Sequence, residues 1–150
     1  MKVDVLSKAS GAPTPARVSL LLNRAARRTG CQAREVSVLF CGDVRMRRLN
    51  RSYRRKDRST DVLAFPGDGG TLLGDIVVSV PYAAREAARR GDPVLREVDR
   101  LLLHGFLHLM GYDHEVDGGE MDALEGRLRR ELGIASGSAR RTAAGRGARS

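Results

Sequence analysis

DPVLREVDRLLLHGFLHLMGYDH, residues 92–114, decides the fold, because it combines a long apolar helical pattern with all of the chain's histidines. Asp92 and Pro93 predict a helix start, since aspartate is a favoured N-cap and proline suits the first helical position. At about 100° per residue, most of the side chains that follow form an apolar surface around Val98. These side chains are Leu95, Leu102, Phe106 and Leu109, extended by Leu103, Leu107 and Met110. The pattern predicts a long helix that ends near Met110 and packs in the core.

The three histidines predict a metal site at His104, His108 and His114. His104 and His108 lie about 40° apart around a helix and about 6 Å apart along it, so both imidazoles can reach one ion. In a continued helix His114 would lie about 240° from His108 and could not join them. The helix must therefore end between them. Gly111 is the residue at which it can, because glycine accepts the left-handed conformation of a helix C-terminus.

Three imidazole ligands are typical of a catalytic zinc site, because they leave one tetrahedral position open. At such a position zinc lowers the pKa of water toward about 7. A structural site with Cys31 or Cys41 as fourth ligand is the alternative, although these cysteines lack the usual short spacing. A zinc peptidase is disfavoured, because its helix carries glutamate directly after the first histidine and this chain has Gly105 there.

The flanking sequence predicts an α+β fold with a central, roughly four-stranded mixed sheet packed with about five helices. The metal site lies on the long helix of the C-terminal half and the turn after it. Strands are predicted at 3–6, 35–41, 61–66 and 72–80, and further helices at 15–29, 43–49, 81–90 and 120–132. Residues 51–58 are predicted to form a basic loop. We expect one metallohydrolase domain over residues 1–135 and a disordered basic tail over residues 136–150.

The net charge of +9 favours a polyanionic partner such as RNA or DNA. Four arginines of the predicted tail account for +4, so the remaining residues still carry +5. A surface that is simply solvated by arginine explains the same charge. The sequence contains no apolar run of about 18 residues, which a membrane span needs, and its N-terminus does not resemble a secretory signal. With two cysteines and no disulfide pattern, we expect a cytoplasmic protein with buried, reduced thiols.

Three segments together resemble the YbeY family, bacterial metal-dependent endoribonucleases of rRNA maturation. Residues 104–114 have the spacing H-x3-H-x5-H, residues 49–66 read LNRSYRRKDRSTDVLAFP, and residues 73–76 read LGDI. In the second segment Arg55 stands where the family usually has glycine, and Ala64 where it usually has serine. The resemblance is clear over about residues 40–115 and looser elsewhere.

The resemblance implies a cytoplasmic enzyme that binds metal at the three histidines and cleaves single-stranded RNA. It implies action on the 3′ end of 16S rRNA and in quality control of the small ribosomal subunit, by attack of metal-activated water on a phosphodiester. The family's functional arginine corresponds to Arg54. A guanidinium suits this role, because its paired donors match the phosphate oxygens that gather charge in the transition state. Arg55, Lys56 and Arg58 are expected to hold the RNA backbone or to be solvated.

Several carboxylates have open roles at this point. Asp75 either supports a metal ligand or caps a strand, and Glu97 is predicted to line the groove of the histidines. Asp113 and Glu115 are candidate proton carriers. Two alternative functions also remain: a ribosome-assembly factor that binds RNA and has a chiefly structural metal, and a metallohydrolase that acts on another substrate.

Overall fold

The computed structural model describes residues 1–113 and 115–134. Within them the chain forms an α+β fold with a four-stranded mixed sheet and five helices, which confirms the predicted fold class. His114 and the predicted tail, residues 136–150, lie outside the described residues. The elements are β1 (Lys2–Ser7), α1 (Pro15–Thr29), β2 (Glu35–Cys41), α2 (Asp43–Arg54), β3 (Val62–Pro66), β4 (Leu72–Ser79), α3 (Val80–Arg90), α4 (Val94–Leu109) and α5 (Glu120–Leu132).

The strands follow the order β1-β2-β4-β3 across the sheet. Strands β1, β2 and β4 are parallel, whereas β3 runs antiparallel to β4 and forms one edge. Because successive side chains in a strand point to opposite faces, Ile76 and Val78 face one layer of helices and Val77 faces the other. This alternation separates the two clusters of buried residues.

The larger cluster lies between the sheet and helices α1, α3, α4 and α5. Helix α4 is its centre, as the sequence predicted, and Leu102, Phe106 and Leu107 are completely buried. Each such side chain contributes about 1.5–3 kcal/mol through its removal from water. Leu95 departs from the prediction with 38% exposure, because it lies in the first turn of α4.

The smaller cluster lies on the opposite face of the sheet, under α2. It consists of Cys41, Met46, Leu63 and Val77. The predicted end of the helix at residue 49 was wrong, because α2 continues to Arg54 and only residues 55–58 of the predicted basic loop lie outside it. Arginine is a good helix former, and Met46 and Asn50 anchor the buried side of the helix.

Candidate metal centre

His104 and His108 lie side by side on α4, as their spacing predicted. Their ring centroids are 4.8 Å apart and the ring planes meet at 75°. Both residues are partly buried, and the Nε2 atom of each is buried. The two imidazoles therefore present ring nitrogens in a place that is shielded from bulk water.

Gly105, between the two histidines, explains how α4 can lie so close to the sheet. A Cβ atom added there would be 3.0 Å from Cγ2 of Ile76 and 3.5 Å from Cγ2 of Val62. Position 105 therefore faces β3 and β4. The glutamate that a zinc peptidase has after its first histidine would be directed into the packed sheet, which adds a steric reason to the sequence argument against a peptidase.

The helix ends where the sequence predicted. Gly111 has φ +103°, the left-handed region that favours glycine. The backbone N–H of Gly111 donates to the carbonyl of His108 at 3.0 Å, and that of Tyr112 donates to the carbonyl of Leu107 at 3.1 Å. The chain thus leaves the helix axis before Asp113. The return of His114 toward the other two histidines stays a prediction, because that residue is not described.

Glu125 is a site residue that the sequence analysis missed. Its Oε1 atom lies 2.9 Å from Nδ1 of His104, and the two side chains are only 15% and 14% exposed. One signal could have revealed it. Glu125 lies four residues after Met121 and three before Leu128, both fully buried, so a carboxylate occupies the core-facing side of α5.

The donor set fits a divalent transition metal, because imidazole nitrogen is a preferred ligand of zinc, and ligating histidines usually donate their other ring N–H to a carboxylate or carbonyl. Among residues 1–113 and 115–134, no three His, Cys, Asp or Glu side chains group as a metal site. The described part of the chain thus contains two of the three predicted ligands, and His114 is the predicted third. Cys41 is excluded as a further ligand, because it lies in the smaller cluster across the sheet.

Arg54 is the last residue of α2 and is exposed. It lies in the layer opposite α4, so the structure does not place it in the same layer as the histidines. Edge strand β3 contacts both α2, which ends at Arg54, and α4, which carries the histidines. Its Phe65 makes an edge-to-face contact with Tyr53 at 5.1 Å between ring centroids, while its Val62 lies beneath α4 near Gly105.

The segment after Arg54 has a defined conformation. Arg55 ends α2 with φ +60°, and it is the one non-glycine residue with positive φ in the described chain. The buried side chain of Asn50 donates from Nδ2 to the carbonyl of Arg58 at 2.9 Å. Arg47 forms two hydrogen bonds to Asp57, at 2.7 and 3.1 Å. These contacts fix the path of the basic segment relative to α2.

Asp43 anchors the start of α2 to its surroundings. Its carboxylate accepts hydrogen bonds from the hydroxyls of Ser59 and Ser79 and from the guanidinium of Arg85. The Arg85 guanidinium, helped by the two hydroxyls, holds the pKa of Asp43 below its ordinary value. Asp43 therefore connects α2, the basic segment and α3 as a structural ion-pair centre.

Two of the carboxylates left open by the sequence are not near the histidines. Asp75 is exposed and points away from α4, because its neighbour Ile76 faces that helix. Glu97 was predicted to line the groove, and that prediction was wrong. It is fully buried and forms ion pairs with Arg90, at 2.9 Å, and with Arg100. A fully buried carboxylate needs such partners to remain charged in the core.

Asp113 and Glu115 flank the undescribed histidine and are both exposed. The Asp113 Oδ1 atom accepts a hydrogen bond from the backbone N–H of Glu115 at 3.0 Å. This contact forms a local turn. The possible use of either carboxylate as a proton carrier stays a prediction.

Exposed cations dominate the solvent face of α2 and the segment that follows. Asp57 is the only acidic residue between residues 44 and 58. The exposed cationic residues are Arg45, Arg47, Arg48, Arg51, Arg54, Arg55, Lys56 and Arg58. Such a face suits a phosphate backbone. Among the residues that the structure describes, no helix has the length and apolar character that crossing a membrane requires.

Comparisons with known proteins show the family and the fold of this chain. Residues 10–133 match the family model of the endoribonuclease YbeY. A protein of that name from Solibacter usitatus is 50% identical over 99 residues, covering 66% of this chain and 67% of its own length. Another from Koribacter versatilis is 41% identical over 138 residues and covers 92% of this chain and 90% of its own. A solution structure from Thermotoga maritima shares the fold, with a TM-score of 0.61, 24% identity and coverage of 87% and 88% of the two chains.

Proposed function

Because this chain belongs to the YbeY family of endoribonucleases, we propose that it is a metal-dependent endoribonuclease that cleaves single-stranded RNA. The observation that carries the metal part of this proposal is the paired imidazoles of α4, with buried Nε2 atoms and a carboxylate behind His104. The proposed biological substrate is the 3′ end of 16S rRNA in the small ribosomal subunit, as part of rRNA maturation and ribosome quality control. That substrate assigns the protein to the cytoplasm.

We assign the metal to His104, His108 and His114, and zinc is our choice because all three donors are imidazole nitrogens. When bound, zinc would supply Lewis acidity and lower the pKa of a water molecule that attacks the phosphodiester. The role of the protein is to hold the imidazoles in place and to exclude competing water. The packing of α4 against the sheet at Gly105 makes that support rigid.

Arg54 is assigned to the phosphate. Its guanidinium can donate paired hydrogen bonds to the non-bridging oxygens, where negative charge increases in the transition state. Because Arg54 and the histidines lie on opposite faces of the sheet, the RNA must pass around the edge formed by β3. The exposed arginines of α2 would hold the backbone on one side of that edge.

Metal analysis combined with a cleavage assay on single-stranded RNA tests this proposal. We expect the wild-type protein to contain about one zinc per chain and to cleave. The variant H114A should lose both metal and cleavage, because two imidazoles alone hold zinc weakly. Circular dichroism of both proteins provides the folding control. Undiminished cleavage by a chelator-treated preparation that contains no metal would exclude the mechanism.

A second candidate is an RNA-binding assembly factor with a chiefly structural metal, and the basic face of α2 favours it. Such a factor would bind 16S rRNA with an affinity that falls steeply with salt, yet would cleave nothing. The same assay separates the two functions. Wild-type protein that binds RNA tightly and holds zinc, but leaves every single-stranded substrate intact, would support the assembly factor.

A further inference from the structure

The contact between Glu125 and His104 determines which nitrogen of His104 faces the proposed metal. The carboxylate oxygen Oε1 lies 2.9 Å from Nδ1. An ionised carboxylate can only accept a hydrogen bond, whereas a neutral imidazole has one N–H donor and one bare nitrogen. Nδ1 must therefore carry the proton and donate it. The buried Nε2 atom then carries the lone pair, and the ring centroid of His108 lies 4.8 Å from that of His104.

Helix α5 holds Glu125 in this position through its buried face. Met121 and Leu128 are fully buried and Leu132 nearly so, and α5 packs against both α1 and α4. The start of the helix is fixed as well, because the backbone N–H of Met121 donates to Asp117 at 2.9 Å. Glu125 is thus presented to His104 by a docked helix.

We propose that Glu125 is a positioning residue that holds His104 as a metal ligand through Nε2. This inference rests on the metal site in the proposed function and adds a named residue to it. Without the carboxylate, His104 could exchange its proton between the two nitrogens and rotate about its side-chain bonds. Metal binding would then have to impose both the tautomer and the orientation. Loss of such a supporting group typically weakens metal binding by about 10–100-fold.

Zinc titration of the purified full-length protein against a chromophoric chelator tests the proposal. We expect E125A to bind zinc about 10–100-fold more weakly than wild type. The variant E125Q keeps a carbonyl oxygen that can accept from Nδ1, so its loss should stay below about tenfold. The matched control is D122A, which removes an exposed carboxylate from the same helix and should bind like wild type.

The tautomer of His104 in the zinc-free protein is the measurement that a merely structural role would not change. Long-range ¹H–¹⁵N correlation spectra should show the proton on Nδ1 in wild type and E125Q, and a shift toward Nε2 in E125A. Urea unfolding of the zinc-free variants shows whether α5 still docks. Wild-type zinc affinity in E125A, or a proton on Nε2 in the wild-type protein, would overturn the assignment.

The variant H108A separates failure of this inference from failure of the proposed function. If wild type binds zinc no better than H108A, the proposed metal site fails and the role of Glu125 fails with it. If wild type binds zinc, H108A does not and E125A matches wild type, only the role of Glu125 is rejected.

Discussion

Helices α4 and α2 lie on opposite faces of one sheet and differ in the burial of their charged side chains. In α4, Glu97, Asp99 and Arg100 are all buried, whereas all five arginines of α2 are exposed to solvent. His104 and His108 lie in the layer of α4, where charged side chains are buried. Arg54 lies in the layer of α2, where they are exposed. A metal ligand benefits from rigid, water-poor surroundings, while a group that binds an RNA backbone must remain accessible. In the proposed function, the sheet therefore separates the metal site from Arg54.

Two sets of ion pairs, one at Glu97 of α4 and one at Arg47 of α2, show this difference in burial. Glu97 is completely buried between Arg90 and Arg100. Arg47 and Asp57 form an equally close pair, at 2.7 Å, but their side chains are 58% and 51% exposed. In the exposed pair, water and salt screen the attraction. The two pairs have similar distances but differ in burial. Removing one partner should therefore cost more stability in the buried pair than in the exposed pair.

The largest expected effect comes from breaking the buried pair. E97A should lower the free energy of unfolding by about 3–5 kcal/mol, because it removes the carboxylate that compensates buried guanidinium charge. Urea unfolding of the zinc-free protein at neutral pH measures this loss. The matched control is D57A, which breaks the exposed pair beside α2 and should leave the midpoint unchanged within error. Equal losses in the two variants would refute the contrast between the layers.

The next effect concerns catalysis at the exposed layer. R54A should lower kcat on single-stranded RNA by about 10²–10³-fold, the usual cost of removing one group that stabilises transition-state charge. Its zinc content and unfolding midpoint should match wild type, because Arg54 is exposed and lies in the other layer. R48A, an exposed arginine of the same helix, is the control and should mainly weaken RNA binding. If R48A loses as much kcat as R54A, the assignment of Arg54 to the transition-state phosphate is rejected.

The smallest effect concerns the residue that follows. Arg55 adopts a left-handed conformation, φ +60°, which costs an L-residue roughly 1–2 kcal/mol. R55G should therefore raise the free energy of unfolding by up to about 1 kcal/mol, the remainder being offset by glycine's greater freedom in the unfolded chain. Thermal unfolding checks this, and cleavage should be retained. A destabilised R55G would mean that the Arg55 side chain makes contacts worth more than the backbone strain.

Local rules explain how much of the molecule could be predicted from sequence. The predicted bounds of α1 and α5 match the structure. Thr14 begins α1 by accepting from the N–H of Arg17, and Gly30 and Gly133 end the two helices. The same rules misplaced the end of α2. Arg51 and Arg54 were interpreted as loop, because the helix has few apolar residues and its buried side consists of little more than Met46 and Asn50.

The sequence by itself determined α4, the adjacent placement of His104 and His108, and the helix end at Gly111. These follow from helical periodicity and glycine's backbone freedom, which act within a few residues. Only the tertiary structure decided that Glu125 lies behind His104, 21 positions away, that Glu97 is buried, and that Arg54 lies across the sheet. Those facts depend on strand order and on which faces of the helices pack together. A local sequence pattern does not determine which distant residue a side chain contacts.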